Sequence, residues 1–90
     1  MRKTVVEVRQ MTEPCDLTFG AEGLGYTDTD EACELLVSLA SHTSSIVREG
    51  AIYGLSRHLK RESARNTLQL LATTDVSITI RECALEVLEI

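Results

Sequence analysis

Two segments of the chain repeat one another at an offset of 33 residues: Val47-Arg48-Glu49-Gly50-Ala51-Ile52-Tyr53-Gly54-Leu55 and Ile80-Arg81-Glu82-Cys83-Ala84-Leu85-Glu86-Val87-Leu88. Both copies carry the skeleton Arg-Glu-x-Ala-x-x-x-Leu. A self-match with a period of roughly 20 to 50 residues marks a repeat array, in which a unit buries its apolar face only by stacking on the next. The alignment also pairs Leu35 with Leu68 and Ser44 with Ser77. Apolar residues at helical spacing on both sides of the match predict an all-α stack.

Ninety residues make one domain, and a domain of this size buries only ~60% of the surface its unfolded chain exposes. The aromatic residues are Phe19, Tyr26 and Tyr53 alone, so the core is built from Leu, Ile, Val and Ala. No apolar run reaches the ~18 residues that cross a bilayer. Met1-Arg2-Lys3 is followed by residues 4–9, interrupted by Glu7, which is neither a signal peptide nor an anchor. Cys15, Cys33 and Cys83 are odd in number and widely spaced, consistent with a reducing, cytoplasmic setting. The formal charge of −5 is unevenly placed: residues 1–34 carry three bases and eight acids, residues 35–74 five and two, and residues 75–90 one and four. The middle is basic and both ends are acidic.

Residues 4–11 are rich in β-branched side chains and predict a strand or extended arm. Residues 12–16 have turn chemistry, and Leu17, Thr18 and Phe19 suit a short return strand. Gly20, Gly23 and Gly25 then mark a loop, with the order Gly-x-x-Gly-x-Gly reversed relative to a dinucleotide fingerprint, so a plain linker is expected. Asp28 or Asp30 supplies the cap of a first helix over residues 30–40, with Ala32, Leu35, Leu36 and Leu39 at the spacing of one buried face. A second helix runs to about residue 59 on Val47, Ala51, Leu55 and Leu59, a third covers about 64–72, and a fourth starts at Ile78. The expected domains are an arm and loop over 1–27 and two repeats over about 30–59 and 62–90.

Residues 30–90 resemble HEAT repeats, and the nine-residue match resembles the second helix of that unit. The resemblance implies a right-handed αα-superhelix of two helix pairs, four helices in all. In the family an Asp in the loop of each pair lies six residues before the Arg of the second helix, and these side chains form a polar ladder. Asp75 and Arg81 keep that spacing, whereas the first copy has His42 before Arg48. Arg48 is therefore expected to reach across the repeat boundary to Asp75. The family's proline in the first helix is absent here, which implies straighter first helices.

Gly50 and Gly54 lie four apart on one helix face, and each costs ~1 kcal/mol relative to Ala in a helix interior. Two compensations are open: a neighbouring helix in close approach, or a groove that admits a partner's side chain. Tyr53 is the large amphipathic residue on the same helix and suits a binding hot spot. Arg57, His58, Lys60, Arg61 and Arg65 form a basic turn between repeats, read either as helix-end charge and solvated turn or as an anionic partner surface.

No two His or Cys residues stand at metal-ligand spacing, the slots of Cys33 and Cys83 suit small core residues, and no cofactor or catalytic group is expected. The expected function is a non-catalytic adaptor, regulator or inhibitor that binds a protein through a HEAT-like surface. The alternative is a nucleic-acid module using the basic turn, and a third class is a HEAT-like enzyme such as a bilin lyase. Self-association is expected through Val5, Val6, Val8 and Met11 of the arm, or through Leu85, Val87, Leu88 and Ile90 of the last helix.

Overall fold

The computed structural model describes residues 13–89 as five α-helices. They are α1 (Pro14–Leu24), α2 (Asp30–Leu39), α3 (Ser45–Leu55), α4 (Glu62–Thr74) and α5 (Ile78–Leu88). The expected arm and Ile90 lie outside the described residues. Helices α1, α3 and α5 form one layer and α2 and α4 the other, with α3 in contact with all four neighbours. The shortest dimension, 18 Å, fits two helix layers about 8–10 Å apart between axes.

Helix α1 replaces the return strand and glycine loop expected over residues 17–25. Leu17, Ala21 and Leu24 are buried and, with buried Gly20, fall at positions 0, 3, 4 and 7 of a helical face. Pro is well suited to a first helical turn, and Pro14 stands there. Gly20 and Gly23 were expected to break structure. Both are buried within a helix. The chain therefore reads as one second-type helix followed by two helix pairs, and the expected count of four helices is corrected to five among the described residues.

The cap of α2 is Thr29, whose Oγ1 accepts a hydrogen bond from the Ala32 amide at 3.1 Å, rather than Asp28 or Asp30. Those carboxylates are used elsewhere, as shown below. Helix α3 ends at Leu55, short of the expected residue 59, and the chain continues in turns closed by Arg57 N–H to Gly54 O and His58 N–H to Leu55 O. Helix α4 runs longer than expected at both ends.

The core is aliphatic. Leu24, Leu36, Val47, Ile52, Leu55 and Leu68 are fully buried, with Ala21, Ala51, Ala64 and Ala84 where helices approach. Leu59 and Leu88 pack against this cluster half-buried. The apolar face expected to drive self-association through α5 is smaller than its composition suggests. Val87 points into the core and Leu88 is half-buried, leaving Leu85 as the exposed member among the described residues.

Candidate partner-binding face

The polar ladder is built from Arg48, Asp75 and Arg81. Arg48 Nε donates to Asp75 Oδ2 at 2.8 Å and Nη2 donates to Oδ1 at 3.2 Å, a two-pronged pair across the repeat boundary. Both side chains are largely shielded, at 11% and 5% exposure. Arg48 Nη1 also donates to the carbonyls of His42 and Thr43, at 2.9 and 3.0 Å. Arg81 Nη1 donates to the Asp75 carbonyl at 2.6 Å, so each Arg reaches the carbonyl six residues before it. Asp75 Oδ1 further accepts from the Ser77 amide at 2.9 Å. In the first repeat His42 takes over that task, its Nδ1 accepting from the Ser44 amide at 3.0 Å. An imidazole nitrogen that accepts is unprotonated, so the ring proton lies on Nε2. His42 thus replaces the local turn function of the loop Asp, and Asp75 supplies the missing charge.

The basic turn is partly paired and partly buried. His58, expected at a partner surface, is 1% exposed. Its Nε2 lies 3.1 Å from the Leu24 carbonyl and its Nδ1 lies 3.2 Å from Arg61 Nη1. A ring that donates to the carbonyl and accepts from the guanidinium is uncharged. Arg61 pairs with Asp28 at 2.8 Å and Asp30 at 3.0 Å, and the guanidinium holds the Asp28 carboxyl below the usual carboxylate range. Arg65 Nη1 donates to the Leu59 carbonyl at 2.6 Å. Arg57 lies 4.1 Å from the centroid of the Tyr26 ring, within cation–π range. Lys60 is exposed. Arg61 therefore ties the head of α2 to the turn after α3, while Arg57, Lys60 and Arg65 stay exposed and enter no ion pair among the described residues.

Gly50 and Gly54 face α1. A Cβ on Gly50 would stand 2.8 Å from the Thr18 carbonyl oxygen, and one on Gly54 would stand 2.5 Å from that of Ala21. Backbone cannot yield as a flexible side-chain tip does, so the space beside the glycines is filled by α1 and no partner's side chain enters there. The positions 33 residues on are Cys83 and Val87, and they face the other flank of α3. There the helices stand further apart: the α1–α3 contact is the most extensive in the molecule and the α3–α5 contact is far sparser.

A groove of about 390 Å³ occupies that gap, lined by Tyr53, Ser56, Arg57, Leu59, Cys83, Glu86 and Val87. A second lobe of about 320 Å³ lies towards α1, between Glu22, Tyr26, Tyr53, Ser56 and Arg57. Tyr53 and Arg57 line both lobes. Tyr53 is 44% exposed. The adjoining Cys83 side chain, then burial and the carboxylates of Glu49 and Glu86, push its phenol up to about 12. Burial raises the Cys83 thiol as well, outweighing the opposing influence of Tyr53. A raised thiol pKa of this kind does not make a ready nucleophile, which needs a lowered one.

Of the residues expected to bind a partner, the structure brings Tyr53 and Arg57 together and leaves Lys60 and Arg65 at the turn. The lobes are also lined by Glu22, Tyr26, Ser56 and Glu86, which sequence reasoning did not single out, and by Cys83 and Val87, expected as a small core residue and a self-association residue. One usable signal existed: the aligned pairs Gly50/Cys83 and Gly54/Val87 differ in bulk where the rest of the skeleton agrees.

No curated protein and no solved structure matches the chain. The family model of HEAT repeats matches residues 19–89, most of the chain, and spans α2–α5 with the latter part of α1. HEAT repeats generally mediate protein–protein interaction. No helix among the described residues is long and apolar enough to cross a membrane. Layered helix pairs, the Arg–Asp ladder and this match together place the chain in the HEAT-repeat family.

Proposed function

We propose that the protein is a small non-catalytic adaptor or regulator that binds a protein partner on the layer formed by α1, α3 and α5. The observation that carries this reading is the two-lobed groove on either side of Tyr53 and Arg57. It combines exposed tyrosine surface with an arginine, side-chain types enriched where proteins recognise one another. The free thiols of Cys33 and Cys83 suit a reducing, cytoplasmic setting. A nucleic-acid reading would rest on Arg57, Lys60 and Arg65, since Arg61 is neutralised by two carboxylates.

Affinity capture from the native host tests the reading, with Tyr53→Ala and Lys60→Glu variants beside the wild-type chain. A direct partner that is retained by Lys60→Glu and lost with Tyr53→Ala, in a variant of unchanged circular dichroism, supports the groove. A partner lost only with Lys60→Glu moves the site to the turn and contradicts it.

A further inference from the structure

The chemistry of the groove restricts its occupant. The lobe between α3 and α5 has an apolar wall of Tyr53, Leu59, Cys83 and Val87, with Glu86 at its rim. The lobe towards α1 has Glu22 and the Tyr26 ring. Among the described residues, neither Glu22 nor Glu86 enters an ion pair. The one cation lining either lobe, Arg57, is stacked on Tyr26. The groove therefore presents carboxylates without cationic partners next to apolar surface. Long basic side chains match that combination, because their methylene stems cover apolar surface while the charged head reaches a carboxylate. Polyanions are opposed by the same two glutamates.

We propose that the groove between α3 and α5 docks a segment of a partner protein that carries a lysine or arginine beside an aliphatic residue. The aliphatic side chain fills the space between Val87 and Leu59, and the basic head meets Glu86. A second basic residue further along the segment reaches Glu22. The Tyr26 ring, which already carries a guanidinium from its own chain, offers a cation–π contact at that end. This inference rests on the docking face proposed above and adds the chemical class of what docks there.

Selection of a random short-peptide library against the full chain, with the Tyr53→Ala variant as the counter-target, tests both layers separately. The expected result is enrichment of peptides with Lys or Arg next to Leu, Ile or Val. A labelled synthetic peptide of that kind should lose about tenfold in affinity to Glu86→Lys. It should recover binding to that variant when its basic residue is changed to Glu. Enriched peptides that need Tyr53 but lack a basic residue overturn the chemistry and leave the docking face standing. Peptides that bind Tyr53→Ala equally well, or an empty selection, overturn both. Binding of a single-stranded oligonucleotide in competition with the basic peptide overturns the proposal in favour of nucleic acid.

Discussion

The two helix pairs, α2–α3 and α4–α5, carry the same skeleton and do different work. Where they agree, at Arg48/Arg81, Ala51/Ala84 and Leu55/Leu88, the residues build one pair and stack it on the next. Where they differ, they set the distance between second-layer helices. Glycine at 50 and 54 draws α3 against α1 until backbone touches side-chain space. Cysteine and valine at the matching positions hold α5 away and leave a groove. Ile52 and Leu85 make the same point: Ile52 is fully buried, whereas Leu85 is 50% exposed. In the first pair α3 lies between α1 and α5, while α5 packs on α3 and α4 alone among the described helices. A repeated motif thus specifies the scaffold, and departures from it specify the surface.

The strongest way to break the comparison is Asp75→Ala, because this carboxylate serves both repeats. Removal leaves the largely buried Arg48 charge without its partner and strips the Ser77 amide of its acceptor, at a cost of about 3 kcal/mol in urea unfolding. A loss well below the cost of a single hydrogen bond would show that the ladder does not couple the repeats. Gly54→Ala comes next. The helix gains ~1 kcal/mol in propensity, yet the new methyl meets the Ala21 carbonyl, so a net loss of about 2 kcal/mol is expected. A stabilised Gly54→Ala variant would contradict the tight α1–α3 contact. Arg81→Ala, which removes a single hydrogen bond to the Asp75 carbonyl, should cost about 1 kcal/mol, clearly less than Asp75→Ala.

The smallest effect is a pH dependence confined to the alkaline side. Tyr53 ionises at about 12 in the fold instead of its ordinary 10.0, so the unfolded chain releases this proton first. The stabilisation is complete below pH 10.0 and is lost as pH rises towards 12. In a Tyr26→Phe background, the phenolate absorbance of Tyr53 should rise with a midpoint near 12 and shift down in Cys83→Ala. An unchanged midpoint in Cys83→Ala would show that Cys83 does not set the ionisation of Tyr53.

The repeat, the helices α2–α5 and the Arg48–Asp75 contact were legible because they depend on spacing within the chain. Helix α1 was not, although Leu17, Gly20, Ala21 and Leu24 have helical spacing. Its glycines suggested a loop, and its Gly-Ala pair precedes Gly50-Ala51 by 30 residues, outside the 33-residue period. Thr29 was overlooked as a cap because two aspartates flank it, and those aspartates serve Arg61 instead. A count of charges does not reveal which are paired: Asp28 and Arg61 are separated by 33 residues in sequence. The groove was illegible residue by residue, since it is a distance between two helices and arises from the bulk of Cys83 and Val87 relative to Gly50 and Gly54.

The central claim is that recognition occurs in the groove between α3 and α5. Chemical-shift mapping of the full chain, titrated with the basic-aliphatic peptide most enriched by selection, addresses it most directly. The account predicts the largest shifts at Tyr53, Arg57, Cys83, Glu86 and Val87, with Lys60 and Arg65 little moved. Shifts centred on Lys60 and Arg65, with the groove residues unchanged, would contradict it.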